Sequence, residues 1–388
     1  MESAAAASRL IPDRQQQAST RAAFFIAGFA LSSWAPLIPF AKDRAGLDEA
    51  ALGLLLLCFG AGSLAGLPLA GALTARLGCR AIVATATILI CIALPILAHT
   101  GSAPVLAAAL LLFGAGVGAI DVAMNIQAVI VERASGRSMM SGFHGMFSVG
   151  GIAGALGVSA LLFLGVSPLV ATIGVVSVIV TLLAGFGNHL LPYLPPLGGQ
   201  RADKLFVWPR GKVLILSVLC CILFLVEGAM LDWSAVFLTT RRDVAPAQAG
   251  FGYAAFAAAM TLGRLNGDRF VQALGGRRIL QLGCLAAIVG LALAVLVPAQ
   301  YAAFAGFMLV GAGCANLVPV LYTAAGNQSA MPAAGPAISA ITTLGYAGIL
   351  CGPALIGLVA QATSLSIAFS GLAGLLLIVA CCSRAAVR

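Results

Sequence analysis

Three carboxylates sit where carboxylates are costly. Asp121 lies in LLFGAGVGAIDVAMNIQAVI (111–130), and Glu227 and Asp232 lie in EGAMLDWSAVFL (227–238), all inside long apolar runs. An acid at the centre of a membrane-length helix costs roughly 2.5–3.5 kcal/mol on insertion scales, so it usually faces a bundle interior or a watery cavity. No Lys or Arg lies at comparable depth along these runs, since Arg264 falls near the end of its own. The three acids are therefore expected to be hydrated, hydrogen-bonded, or protonated for part of the time. A carboxyl that passes between dry and wet surroundings takes up and releases a proton, which is the chemistry of a relay.

Other polar side chains share these runs. Asp121 and Asn125 are spaced i, i+4 and lie on one helical face, offering an acceptor and an amide donor to a hydroxyl-rich ligand or to each other. Glu227 and Asp232 are about 140° apart around a helix, so they need not meet one ligand. Glu227 suits a proton carrier or a pin between helices. Asp232, followed by Trp233, suits a cationic or polyol solute held against an indole, and equally an interfacial residue beside a belt tryptophan. Trp34, after Ser33 and two residues before Pro36, suits a cavity wall or a belt anchor. Asn316 and Tyr322 are expected ligand contacts, whereas Gln328 falls in a loop. Tyr346 shares a face with Thr342, although helical hydroxyls also bond their own carbonyls. His144 titrates in the physiological range, or simply packs a helix.

These residues need elements to position them. The 388 residues are 61% hydrophobic and 9% charged, which marks a polytopic helical membrane protein, because lipid leaves no partner for unpaired backbone groups. Twelve spans are expected, at 21–41, 50–74, 81–99, 103–131, 138–163, 167–188, 212–239, 247–267, 278–298, 300–325, 334–361 and 364–383. An even number puts both termini on one side. If that side is the cytoplasm, cytoplasmic segments hold 17 of the 21 Lys and Arg residues, leaving only Lys42, Arg44, Arg241 and Arg242 outside. The net charge of +9 is then topology and not a nucleic-acid footprint. None of the ten cysteines forms a C-x-x-C pair, and no H-E-x-x-H, G-x-S-x-G or Walker loop occurs, so no metal, cofactor or catalytic residue is expected and an enzyme is disfavoured. The first residues lack a signal peptide's apolar core and are read as a polar tail.

A repeat runs through the chain: FGAGVGAI (113–120) aligns with VGAGCANL (310–317) at a shift of 197, and Gly151 then meets Gly348. The Pro- and Gly-rich stretch HLLPYLPPLGGQRADKLFVWPRGK (189–212) falls between spans six and seven. Between spans eight and nine, GRLNGDRFVQALGGRR (263–278) resembles the loop signature of the major facilitator superfamily. Its first-half counterpart GALTARLGCR (71–80) has Ala75 at the acidic position. DVAMNIQAVIVER (121–133), SGFHGMFSVGG (141–151), EGAMLDWSAVFL and ANLVPVLYTAAG (315–326) resemble a bacterial subgroup related to fucose permease that includes rhizopine carriers.

The resemblance implies an all-α membrane fold of twelve transmembrane helices in two pseudo-symmetric six-helix bundles, with solute between them near the midplane. The expected division is a cytoplasmic tail 1–20, bundles 21–188 and 212–383, a linker 189–211 and a tail 384–388. It also implies a gate in which Arg76, Arg80, Arg264, Asp268 and Arg269 bridge helix ends, weaker in the first half because Ala75 replaces the acid. The expected activity is secondary transport of a small polar solute, a sugar, polyol or inositol-like amine, across a bacterial inner membrane. It would be coupled to protons through Asp121, Glu227 and Asp232, in a lipid-embedded monomer with both termini cytoplasmic. An efflux carrier for amphipathic compounds is the alternative.

Overall fold

The computed structural model describes residues 14–135, 139–192, 210–327 and 334–387, with the backbone alone at Ala75, Asp268 and Thr342 among others. The described elements are helical: α1 (Arg14–Trp34), α2 (Ile38–Arg44), α3 (Glu49–His99), α4 (Ala103–Ser135), α5 (Met140–Phe163), α6 (Pro168–Phe186), α7 (Lys212–Arg241), α8 (Pro246–Leu265), α9 (Gly267–Leu274), α10 (Gly276–Leu296), α11 (Gln300–Cys314), α12 (Leu317–Asn327), α13 (Ala334–Ala362) and α14 (Leu365–Ala386). Eleven stretches among the described residues are long and apolar enough to cross a membrane. The twelfth expected span is α8, a 20-residue helix, whose Ala- and Gly-rich sequence and Arg264 make it less apolar.

Expected spans two and three join in α3, which breaks at Gly78 (φ 81, ψ 165). Gly275, 197 positions on, precedes α10 with φ 78 and ψ 150. That region of backbone space is nearly closed to residues with a Cβ. The two halves thus turn the corner before spans three and nine in the same way and with the same residue.

The 197-residue shift also recurs in the packing. A Cβ on Gly114 would overlap the carbonyl oxygen of Phe59, and a Cβ on Gly311 would overlap that of Phe256. The opposite face of the same span behaves alike. Gly116 rests on Ala86 and Ile90 in α3, while Gly313 rests on Gly283 and Ala287 in α10. Without a hydrophobic driving force inside lipid, close backbone approach is what holds membrane helices together, so these glycines are seams of the fold.

Contacts divide the chain into two compact units, Met1–Trp34 with Cys58–Gly199, and Ala35–Leu57 with Gln200–Arg388. In the first unit α1 and α5 approach through Gly28, Gly150 and Gly154, and Phe24 stacks on Phe143 with ring centroids 5.8 Å apart. In the second, Phe237, Phe307 and Phe369 are fully buried, with Phe237 stacked on Phe369 at 4.7 Å. Gly348 of α13 meets the Cys221 carbonyl of α7 there. The segment 35–57 joins this unit through Gly53, where a Cβ would lie 2.6 Å from the Pro353 oxygen, and is braced within itself by an ion pair of Lys42 with Glu49 at 3.6 Å.

The end of α10 depends on one side chain. Arg242 donates from Nε and Nη2 to the Ala294 carbonyl at 3.1 and 2.6 Å and from Nη2 to Val295 at 2.6 Å. Its guanidinium carbon lies 5.2 Å from the Phe237 ring centroid. Burial, and secondarily the adjacent Arg241, lower its pKa from the ordinary guanidinium value. Two carbonyls at a helix C-terminus would otherwise lack partners, so Arg242→Ala should cost about 2 kcal/mol. A thermal melt of the purified protein checks this, and an unchanged melting temperature contradicts it.

Candidate functional site

In the first unit the polar residues cluster on α4. Asp121 is half-buried, and Asn125 Nδ2 donates to its backbone oxygen at 2.8 Å and to its Oδ1 at 3.3 Å. The i, i+4 spacing therefore brings acceptor and amide together on one face. Among the described residues Lys42 pairs with Glu49 and Arg264 with Glu227, and Asp121 is in neither ion pair. Trp34, the last residue of α1, is 2% exposed, and its Nε1 is buried with no hydrogen-bond partner among the described residues.

Gln127 is a residue that sequence reasoning missed. It is fully buried, donates to Thr20 Oγ1 at 3.4 Å and accepts from the Leu191 backbone N–H at 3.1 Å. Its signal in the sequence is an uncharged amide inside an apolar run. Arg80, an expected gating residue, works beside it: its side chain donates to Asn188 Oδ1, and its backbone N–H donates to the Leu191 carbonyl at 3.0 Å. Together they fasten the chain after α6 to α1, α3 and α4. Arg76 is exposed, and His144 packs T-shaped with Phe24, ring centroids 5.0 Å apart.

In the second unit one expectation is overturned. Glu227 does have a cation partner: Arg264 Nη2 lies 3.3 Å from Oε1 and 3.2 Å from Oε2. Counting residues along α8 puts Arg264 at its end, but a long side chain carries its charge well away from its own Cα. The same guanidinium donates from Nε to the Ala315 carbonyl at 3.2 Å. Asn316, expected as a ligand contact, donates from Nδ2 to the Gly263 carbonyl at 3.0 Å.

Asp232 is 9% exposed and, like Asp121, is in neither ion pair. Its neighbours Trp233 and Ser234 are fully buried, and Trp233 Nε1 and Ser234 Oγ have no hydrogen-bond partner among the described residues. With burial this complete, Trp34 and Trp233 are not lipid-facing belt anchors. Three successive residues of α7 thus carry polar groups into a dry environment, where unmet polar groups are costly and usually serve a purpose. Tyr322 is half-buried, and Tyr346 is 37% exposed with its ring 6.0 Å from that of Phe224. Arg269 is exposed. The side chains of Asp268 and Thr342, and the whole of Gln328, lie outside the described residues.

Comparison with known proteins identifies the family. An uncharacterized MFS-type transporter of Yersinia pestis is 56% identical over 377 residues, covering 97% of each chain. The membrane protein MosC of Rhizobium meliloti is 31% identical, covering 93% of this chain and 87% of its own. A crystal structure of the nucleoside transporter NupG superposes with a TM-score of 0.74 at 14% identity, covering 96% of this chain and 99% of that one. The profile of the Major Facilitator Superfamily matches residues 22–297. With its helical spans, its internal repeat and relatives that are transporters and not enzymes, the chain belongs to the Major Facilitator Superfamily.

Proposed function

We propose that the protein is a proton-coupled secondary transporter that carries a small polar solute, a sugar, polyol or inositol-like amine, across a bacterial inner membrane by alternating access. The observation that carries this reading is a pair of acids within apolar spans, the half-buried Asp121 on α4 and the buried Asp232 on α7, neither of which is in an ion pair among the described residues. A permanently ionised acid in such a place is costly, and an acid that is protonated in one state and hydrated in the next is not. Asn125 beside Asp121, and Trp233 beside Asp232, supply amide and indole donors suited to hydroxyl oxygens. Tyr322 and Tyr346 are further contacts in this reading, and Trp34 offers a wall.

Both termini and the linker are cytoplasmic in this reading, in line with the distribution of Lys and Arg, and the working form is a monomer of two bundles, 21–188 and 212–383. Arg76, Arg80, Arg264, Asp268 and Arg269 belong to its cytoplasmic gate. Glu227, held by Arg264, passes from proton carrier to a residue that positions others. The test is a thermal-shift screen of the purified protein against sugars, polyols, inositol amines, nucleosides and amphipathic cations, followed by uptake into proteoliposomes with the best binder. Binding of the native state alone raises the melting temperature. Stabilisation by hydroxylated solutes and uptake driven by an imposed pH gradient support the reading. Stabilisation by amphipathic cations alone would replace it with efflux.

A further inference from the structure

The span formed by α11 and α12 is broken at Ala315 and Asn316, and the sequence says why. In a continuous helix the N–H of residue 319 would donate to the carbonyl of residue 315. Residue 319 is a proline and has no N–H, so the Ala315 carbonyl is left without a helical partner. The Gly263 carbonyl is stranded for another reason, lying among the last four of α8. Each break is repaired by a side chain from the other. Arg264 Nε donates to Ala315 at 3.2 Å, and Asn316 Nδ2 donates to Gly263 at 3.0 Å. The Asn316 amide is seated so closely on Gly267 that a Cβ there would overlap its Oδ1. The remaining used corner of the guanidinium, Nη2, holds both oxygens of Glu227.

One planar group therefore joins α7, α8 and the break. The first half has nothing of the kind: at the shift of 197, Leu67 stands for Arg264, Ala119 for Asn316 and Val122 for Pro319, and α4 runs unbroken from Ala103 to Ser135. Two halves that share their glycine seams differ at this joint in both donor side chains and in the proline.

We propose that Arg264 is a positioning residue that transmits the state of Glu227 to the broken turn of α11 and α12. The inference rests on the transporter reading only for its purpose, since it supplies a movable joint beside α7, the helix that carries Asp232. The guanidinium is rigid, so Nη2 and Nε cannot be placed independently. When Glu227 is neutralised by a proton, the anion that fixes Nη2 is gone. The whole fork is then free to turn, and Nε leaves Ala315. The turn loses the bond that Pro319 denies it from within the helix, and relaxes.

Hydrogen–deuterium exchange of the full-length protein in nanodiscs, with no solute added, tests this through peptides spanning 313–322. They contain the Val320 amide, which donates to Asn316 at 3.2 Å. Glu227→Gln and Arg264→Lys are each expected to speed exchange there by about tenfold. Pro319→Ala restores an N–H for Ala315, so Arg264→Lys combined with Pro319→Ala should return to the wild-type rate. Were Arg264 only a local cap, Arg264→Lys would speed exchange and Glu227→Gln would not, and that result overturns the proposal. A double variant that stays fast overturns it too. Both substitutions are conservative, and Pro319→Ala alone, expected to slow exchange, gives a reading even where a charge variant folds poorly. No arm uses a solute, so failure here is separable from failure of the binding screen.

Discussion

Asp121→Asn is expected to abolish solute accumulation driven by a pH gradient while leaving counterflow intact. A gradient of one pH unit is worth about 1.4 kcal/mol per proton, so a one-to-one symporter should accumulate solute about tenfold, and the variant should stop at a ratio of about one. The substitution is nearly isosteric, and an amide oxygen still accepts the bond that Asn125 Nδ2 makes at 3.3 Å. What is lost is the capacity to exchange a proton. Parallel measurement of Asp232→Asn separates the two acids: the one that carries the proton loses drive alone, and one that holds solute loses counterflow as well. Wild-type accumulation in both variants would remove proton coupling through these residues.

The largest structural effect is expected at the glycine seams. Gly114→Leu and Gly311→Leu would each force a side chain into a backbone carbonyl, of Phe59 and Phe256 respectively. A carbonyl in a helix cannot rotate aside without breaking its own ladder bond, so the helices must part and surrender contacts on both sides of the substituted residue. About 3 kcal/mol or more should be lost at either position, enough to remove most of the folded protein from the membrane extract. Gly157→Leu is the control, because no atom lies within 4 Å of a Cβ there. Size-exclusion profiles of the three variants in detergent give the answer. The two seam variants should fail alike, since their contacts are equivalent at the 197-residue shift, and a monodisperse wild-type peak from either would contradict the packing argument.

The sequence by itself determined the helical class, the twelve membrane-length segments, the half-chain repeat and the shared face of Asp121 and Asn125. Each of these is a one-dimensional quantity, namely the length of an apolar run, a constant offset, or a spacing that the 3.6-residue turn converts into an angle. The repeat foretold the equivalence of Gly114 with Gly311 and of Gly116 with Gly313, but Gly151 and Gly348 differ, since a Cβ on Gly348 would overlap the Cys221 carbonyl and one on Gly151 would meet nothing closer than Ser32 Oγ at 3.0 Å.

Tertiary structure alone decided the partners. Glu227 and Arg264 are 37 positions apart on different helices, and depth judged by residue count ignores the reach of an arginine, so their pairing was invisible along the chain. Gln127 looked like one more polar residue until α1 and the segment after α6 closed on it. Pro319 announced a missing hydrogen bond, but only the approach of α8 showed which donor would replace it. Hydrogen bonds between helices depend on crossing geometry and side-chain length, and neither is written in the order of the residues.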